Sequence, residues 1–220
     1  MERLKVGVLI SGRGSNLQAL IDAASDPAYP AEIALVISNR PDAAGLNRAK
    51  AAGIASKIIA ENDRAAFAAA ADQALRDAQI GLVALAGFMR LLDTDFVATW
   101  QDRMVNIHPS LLPSFPGLHP QRQALAAGVK FSGCTVHFVR AEVDTGPIIA
   151  QAVVPVADSD DEDKLAARIL TAEHRLYPLA VRLYAEGRLQ VAGGRVAIRG
   201  GLPPDITALN PSDALASTGR

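Results

Sequence analysis

The first half of the chain alternates short apolar runs with stretches in which apolar residues recur at helical spacing. Such runs are typical of strands covered on both faces, and the stretches between them are typical of helices that cover a sheet. Three strand–helix repeats followed by a fourth strand predict an α/β fold with a doubly wound, mostly parallel sheet. The predicted strands are Lys5–Ser11, Glu32–Ser38, Ser56–Ala60, Gly81–Ala86 and Met104–His108.

The spacing of apolar residues along the chain changes beyond Gly117. Gly133–Arg140 and Ile148–Val156 predict an antiparallel hairpin that extends this Rossmann-like sheet, with Asp144 in the connection between them. Acidic residues at Ser159–Glu162 then favour the start of a long C-terminal helix. The predicted buried stripe of that helix is Leu165, Ile169, Ala172, Leu176, Leu179, Ala180 and Leu183.

The end of the chain adds smaller features. Glu173 falls off the apolar stripe, and Pro178 is expected to kink the helix. A short terminal hairpin is predicted around Gly193–Gly194. We therefore predict one domain over residues 1–199 and a mobile tail over residues 200–220, which show no period.

Composition narrows the class of protein. The chain has 220 residues with 22 Lys and Arg against 23 Asp and Glu, so nothing in its net charge of -1 favours nucleic acid. Cys134 is the single cysteine, which excludes an internal disulfide, and no histidine or cysteine pair has metal-ligand spacing, so we predict no metal. Val6–Ile10 is shorter than a secretory core, and no run reaches the roughly 18 apolar residues of a membrane span. We predict a cytoplasmic protein without membrane contact.

A glycine turn follows the first strand at Gly12-Arg13-Gly14-Ser15-Asn16. A helix should begin there, capped by Ser15 or Asn16. Glycines let the backbone approach a ligand, and unpaired N–H groups at a helix start attract anions. A turn without a ligand explains the same residues, so both interpretations stay open.

The fifth strand brings two polar side chains to one place. Residues two apart in a strand point to the same side, so Asn106 and His108 should lie together before the chain breaks at Pro109. Asp144 could supply a carboxylate that favours the charged imidazole. An amide and an imidazolium suit acyl transfer in which the substrate is the nucleophile, because both can stabilise an oxyanion. A structural histidine at a strand end is the alternative.

A second mixed segment, Phe88–Leu92, is apolar except for Arg90. Ordinary core packing explains it. A flat, mostly apolar ligand beside one positive charge explains it equally well.

Four motifs carry a resemblance to a known family. They are SGRGSNL at Ser11–Leu17, LAGFMR at Leu85–Arg90, NIHPSLLP at Asn106–Pro113 and DTGP at Asp144–Pro147. In order and spacing they resemble the phosphoribosylglycinamide formyltransferase family, over Val6 to Gly187. The NIHPSLLP stretch is shared by enzymes that use 10-formyltetrahydrofolate, whereas SGRGSNL narrows the resemblance to this family.

The resemblance implies a chemistry. The amine of glycinamide ribonucleotide would attack the formyl carbon of 10-formyltetrahydrofolate, a step of de novo purine biosynthesis. Asn106 and His108 would stabilise the oxyanion, and Asp144 would orient and tune His108. By the same resemblance residues 1–100 form a nucleotide-binding part and residues 101–199 a catalytic and folate part.

The resemblance also implies binding residues. Gly14, Ser15 and Asn16 would hold the ribonucleotide phosphate, and Glu173 would contact the same substrate. Thr135 and His137 are predicted to support the catalytic trio through water, or to be structural. The predicted folate-site residues are Arg64, Met89, Arg90, Leu91, Leu92, Arg140, Ala141, Glu142 and Val143, with the arginines Arg64 and Arg90 near the glutamate tail.

Two positions depart from many relatives. Gln121 stands where a second histidine follows His119, so a histidine pair there is doubtful. Leu170 replaces a polar residue that helps hold the nucleotide in some relatives, which shifts the predicted phosphate contact towards Gly14–Asn16. His119 and His174 are predicted to be structural.

Other functions stay open at this point. A 10-formyltetrahydrofolate hydrolase would use the same trio on water, but such proteins usually carry a regulatory domain before the catalytic one, and here the first strand begins at Lys5. A methionyl-tRNA formyltransferase would bring a basic C-terminal domain, and the tail of this chain is not basic. A nucleotide- or folate-binding module without turnover is the third alternative. The sequence leaves a homo-oligomer open.

Overall fold

The structure, a computed structural model, describes residues 2–200 and Asn210. A seven-stranded sheet runs through its centre. The strands, in chain order, are β1 (Leu4–Ile10), β2 (Ala31–Ser38), β3 (Ala55–Ile58), β4 (Leu82–Leu85), β5 (Met104–His108), β6 (Phe131–Phe138) and β7 (Ile148–Pro155).

The order of the strands in space is β3-β2-β1-β4-β5-β6-β7. The first five strands in this order, from β3 through β1 to β5, pair in parallel. Strands β6 and β7 add antiparallel pairs at one edge. The chain therefore winds outwards from β1 in both directions, which confirms the predicted doubly wound sheet and its hairpin extension. In such sheets ligands bind outside the carboxyl ends of the strands where the winding reverses, here between β1 and β4.

Within the described residues, six helices cover the two faces of the sheet. Leu17 and Ile169 belong to the apolar cluster on one face, and Phe67 and Trp100 belong to the cluster on the other. The core is thus two apolar layers separated by the sheet. The helices are α1 (Ser15–Ala24), α2 (Gly45–Ala51), α3 (Arg64–Asp77), α4 (Thr94–Thr99), α5 (Pro120–Ala126) and α6 (Glu162–Ala185).

The buried face of α6 differs from the prediction at two positions. Leu179 is 47% exposed, whereas Glu173, predicted off the stripe, is buried. Glu173 lies four residues after Ile169, so it continues the buried row of the helix even though it is polar. Tyr177, absent from the predicted stripe, is also buried, and its hydroxyl donates to the Leu85 carbonyl at 2.9 Å. The helix continues through Pro178 as one element.

The start of α1 corrects a second prediction. Gly14 occupies the N-cap position with φ of 70°, and no side chain caps the helix. Ser15 is already helical, and Asn16 directs its amide elsewhere. A left-handed residue at this point favours glycine because a side chain there is strained. Helix α3, by contrast, has a side-chain cap, since the Asp63 carboxylate accepts from the Ala66 amide at 2.8 Å.

The predicted terminal hairpin is present as β8 (Leu189–Ala192) and β9 (Arg195–Ile198). Apart from Gly200 and Asn210, the predicted mobile tail lies outside the described residues. No helix in the described part of the chain is long and apolar enough to cross a membrane.

Candidate active site

Strand β5 and the β6–β7 connection bring Asn106, His108 and Asp144 together. The His108 Nδ1 atom lies 3.3 Å from an oxygen of Asp144. Strand β6 pairs with β5 so that His137 lies opposite Asn106, and the two side chains approach to 3.3 Å. His137 Nε2 also lies 3.7 Å from Asp144. Two histidines, His108 and His137, therefore face the Asp144 carboxylate, and Asn106 joins the group through His137.

Backbone geometry holds the Asp144 carboxylate in place. Asp144 has φ of 56°, and the Gly117 amide donates to its Oδ2 at 2.8 Å. A Cβ atom at Gly146 would lie 1.7 Å from the Phe138 carbonyl oxygen, so only glycine allows the connection to fold back this closely. Burial alone would raise the pKa of Asp144, but its contacts with His137, Gly117 and His108 outweigh burial and lower the pKa.

Both ring nitrogens of His108 have partners. Its Nε2–H donates to the Phe115 carbonyl at 2.9 Å, while Nδ1 faces the Asp144 carboxylate. A carbonyl and a carboxylate both accept, so each ring nitrogen faces an acceptor. The side chain is only 6% exposed. The site is therefore a shielded histidine–carboxylate pair.

Two polar residues of β6 surround the pair. His137 Nδ1 contacts the Phe138 carbonyl at 2.9 Å, and its Nε2 lies 3.3 Å from the Asn106 amide nitrogen. Thr135 is fully buried, and its hydroxyl donates to the Ser110 carbonyl at 2.7 Å and accepts from the Leu112 amide at 3.0 Å. His137 thus orients Asn106, while Thr135 holds the turn that follows His108.

The glycine turn lies at the carboxyl end of β1, and its carbonyls point away from the cavity. The Gly12 carbonyl accepts from the Gly45 amide at 3.0 Å, and the Arg13 carbonyl accepts from Arg48 Nε at 3.0 Å. The turn packs tightly on α2, because a Cβ at Gly14 would lie 2.6 Å from Gly45 Cα. The amides at the start of α1 remain for an anion.

A second buried carboxylate lies beside this turn. Asn16 Nδ2 donates to Glu173 Oε2 at 2.8 Å, and both side chains are buried. Burial raises the pKa of Glu173 to about 7, and the hydrogen bond from Asn16 lowers it only in part. The other amide atom, Asn16 Oδ1, has no partner among the described residues. A ligand donor can satisfy it.

A cavity of about 900 Å³ connects these parts. Its wall includes the glycine turn, Glu173 on α6, and Ile107 and Pro109 on either side of His108. The two departures noted in the sequence, Gln121 and Leu170, also line it. No cluster of three histidine, cysteine, aspartate or glutamate side chains in the described residues is arranged to hold a metal ion.

Of the predicted folate-site residues, Met89 lines the cavity, and several of the others are exposed. Met89 is 78% exposed and Leu91 is 57% exposed, and Val143 on the β6–β7 connection is also exposed. The Met89 amide donates to Ser11 Oγ at 2.9 Å, which ties this segment to the end of β1. Ala141 and Glu142 are likewise exposed on the connection, and Leu92 is half-buried. Large exposed apolar side chains at a cleft are typical of a ligand surface.

The arginines in this region have different surroundings. Arg90 donates to the carbonyls of Glu61 and Asn62 and lies 5.1 Å from the centre of the Phe67 ring. Arg140 forms an ion pair with Asp102 at 2.5 Å. Arg64 begins α3 and is exposed. Arg64 is therefore better placed than Arg90 to meet an anionic tail, a difference that residue types alone did not indicate.

Comparison with known proteins decides the family. A sequence model of the formyl transferase family matches residues 4–181. The phosphoribosylglycinamide formyltransferase of Escherichia coli K12 is 46% identical over 191 residues, covering 86% of this chain and 90% of that protein. The chain belongs to the phosphoribosylglycinamide formyltransferase family. This confirms the resemblance drawn from the four motifs.

Two further relatives, a solved structure and a much longer protein, are also similar to this chain. The structure of glycinamide ribonucleotide transformylase 1 from Symbiobacterium toebii is 52% identical, with a TM-score of 0.86 over 89% of this chain and 94% of that one. The trifunctional purine biosynthetic protein adenosine-3 of Drosophila melanogaster is 54% identical over 84% of this chain. The chain spans only 14% of that longer protein.

Proposed function

We propose that this formyltransferase moves the formyl group of 10-formyltetrahydrofolate to the amine of glycinamide ribonucleotide in de novo purine biosynthesis. The observation that carries the proposal is the His108–Asp144 pair, 3.3 Å apart, beside a cavity that ends at unpaired helix-start amides. One end of that arrangement suits acyl transfer, and the other suits a phosphate. The names of the relatives agree with formyl transfer to glycinamide ribonucleotide.

The reaction needs no covalent enzyme intermediate. The substrate amine attacks the formyl carbon, a new C–N bond forms, and the formyl oxygen becomes an oxyanion. Asn106 Nδ2 and His108 Nε2–H would stabilise that oxyanion, and one such donor is typically worth about 3 kcal/mol. The bond from the formyl carbon to the folate nitrogen then breaks. The proton lost by the amine goes to that nitrogen, giving tetrahydrofolate and the formylated nucleotide.

His108 must exchange a hydrogen bond for this to occur. Its Nε2–H donates to the Phe115 carbonyl at 2.9 Å, so the formyl oxygen has to replace that carbonyl. Asp144 stays ionised because its pKa is lowered, and its carboxylate would orient the imidazole through Nδ1. Asp144 would thus prepare the acid without touching the substrate.

The substrates would occupy opposite sides of the cavity. Gly14, Ser15 and Asn16 would hold the phosphate, and Glu173 would contact the same nucleotide. The pterin would lie against Met89, Leu91, Leu92 and the backbone from Arg140 to Val143, with Arg64 near the glutamate tail. We propose these small molecules as the partners, and a cytoplasmic site of action.

The deciding assay mixes the purified protein with 10-formyltetrahydrofolate, with and without glycinamide ribonucleotide. We expect tetrahydrofolate release only when the nucleotide is present, together with formylated nucleotide by mass spectrometry. Release that is independent of the nucleotide would support a hydrolase instead. No release in either mixture would contradict both enzymes and leave a binding module.

A further inference from the structure

We propose that Arg13 is the positively charged contact for the phosphate of the amine substrate, and that it sets the preference of this chain for a phosphorylated amine. The inference rests on the proposed function, because it concerns the nucleotide end of the same cavity. Arg13 stands between the two glycines of the turn and lines the cavity. The other proposed phosphate contacts of the turn, Gly14, Ser15 and Asn16, carry no positively charged side chain.

The backbone of Arg13 is held while its side chain is not. The Arg13 carbonyl accepts from Arg48 Nε at 3.0 Å, and the preceding carbonyl, Gly12, accepts from Gly45 at 3.0 Å. The side chain is exposed, and its guanidinium forms no hydrogen bond or ion pair with any residue that the structure describes. A fixed backbone and an unengaged guanidinium together make a positioned donor that can move onto a ligand.

The other charges around the cavity do not replace it. Arg40, the second arginine in the wall, donates to both oxygens of Asp42 at 3.0 and 2.7 Å. Asp163 and Glu173 are acidic, and the latter would oppose a phosphate once ionised. The neighbouring wall residue Leu170 offers no polar group. Arg13 is therefore the one cation of this wall, in the described chain, without an internal partner.

The backbone amides alone leave a charge deficit. A helix start contributes about half of a positive charge, whereas a phosphate monoester carries about −1.5 to −2 at pH 7. An arginine adds a full charge and can bind two phosphate oxygens at once, which an amide cannot do. In this proposal the backbone amides of Ser15 and Asn16 orient the phosphate, and the guanidinium of Arg13 neutralises its charge.

Steady-state kinetics of Arg13→Gln test this. We expect the KM for glycinamide ribonucleotide to rise about 10- to 100-fold, with kcat and the KM for 10-formyltetrahydrofolate changed less than about twofold. Arg13→Lys should restore part of the loss, since it returns the charge without the planar fork. The matched control is Arg40→Gln, which removes an arginine of the same wall that is already paired. An unchanged nucleotide KM in Arg13→Gln, or an equal rise in Arg40→Gln, would overturn the inference.

A binding measurement separates this inference from the proposed function. Inorganic phosphate should raise the melting temperature of the wild-type protein and of Arg40→Gln, but not of Arg13→Gln. If this pattern appears while the wild-type protein transfers no formyl group, the phosphate contact stands and the proposed function fails. If formyl transfer occurs and phosphate stabilises the wild type and Arg13→Gln equally, only the inference about Arg13 is rejected.

Discussion

Two buried carboxylate side chains, Asp144 beside His108 and Glu173 in the cavity wall, have pKa values shifted in opposite directions. Asp144 is paired with His108 at 3.3 Å and accepts from the Gly117 amide at 2.8 Å, and its pKa is lowered. Among the described residues, Glu173 accepts from the Asn16 amide alone, at 2.8 Å, and burial raises its pKa to about 7. Burial acts on both carboxyls, and only Asp144 has enough donors to offset it.

The difference in pKa suits Asp144 and Glu173 to different proposed roles. The lowered pKa of Asp144 favours its carboxylate form, which in the proposed reaction would orient His108 towards the formyl oxygen. A Glu173 that titrates near neutrality can lose its charge beside a bound phosphate, so the nucleotide end avoids repulsion. Each end has the carboxyl state that its proposed ligand needs.

Removing the imidazole should have the largest effect. His108→Ala deletes one proposed oxyanion donor and removes the ring that contacts Asp144. We expect kcat to fall by roughly 10²- to 10⁴-fold while the affinity for 10-formyltetrahydrofolate, measured by fluorescence titration, is largely kept. A near-normal kcat would reject the proposed trio.

Neutralising the first carboxylate should come next. Asp144→Asn keeps the size of the side chain but removes the charge that supports His108, so we expect a fall in kcat of about 10²- to 10³-fold in single-turnover experiments. Asp158→Asn is the matched control, because that carboxylate pairs with Lys130 on the surface, far from the proposed chemistry. If both variants lose activity to the same degree, the effect is one of general stability.

The second carboxylate should instead appear in the pH dependence of stability. The folded pKa of Glu173 is about 7 against an ordinary 4.5, so the folded state favours the protonated carboxyl. This contribution is fully present below about pH 4.5 and is lost as the pH rises to about 7, on the order of 3 kcal/mol in all. Glu173→Gln should lack that loss in urea unfolding at a series of pH values.

The corresponding sign for Asp144 is reversed. Its folded pKa is lowered, so its contribution is present above the ordinary aspartate pKa and is lost as the pH falls through the folded value. Should the wild type and Glu173→Gln show the same slope between pH 4.5 and 7, Glu173 is not the titrating group.

The smallest expected effect concerns the single donor to Glu173. Asn16→Ala removes the hydrogen bond that lowers the pKa of Glu173, so the titration midpoint of that carboxyl should move upwards. Carbon-13 NMR of labelled glutamate would follow it. Gln18→Ala, on the outer side of α1, is the control and should leave the midpoint in place. A downward shift in Asn16→Ala would contradict the role of the amide as the stabilising donor.

Much of the catalytic end could be anticipated from local pattern. The alternation in β5 placed Asn106 and His108 on one side, and the hairpin pattern of β6 and β7 put Asp144 in a connection near them. These inferences succeed because strand periodicity and hairpin connection are short-range properties. The roles of the three residues remain predictions until they are tested by substitution.

The nucleotide end was harder to predict, although its motif was clear. Ser15 and Asn16 were expected to cap α1, but Gly14 takes the cap position and Asn16 turns to Glu173, 157 residues away. The apolar pattern excludes Glu173 from the buried stripe of α6 because Glu173 is polar, although its side chain is buried. The same pattern includes Leu179, which is exposed, because an apolar side chain need not face the core.

The amino-acid sequence determined the strand and helix order, the hairpin that carries Asp144, and the family, because each depends on periodicity or on contiguous motifs. The tertiary structure decided which polar groups meet: Glu173 with Asn16, Arg90 with the carbonyls before α3, and Arg13 with no internal partner among the described residues. Such pairings join positions far apart in the chain through packing of α6 and the turns on the sheet. Hydrophobic periodicity indicates which positions are buried. It does not indicate which hydrogen-bond partner each buried polar group meets.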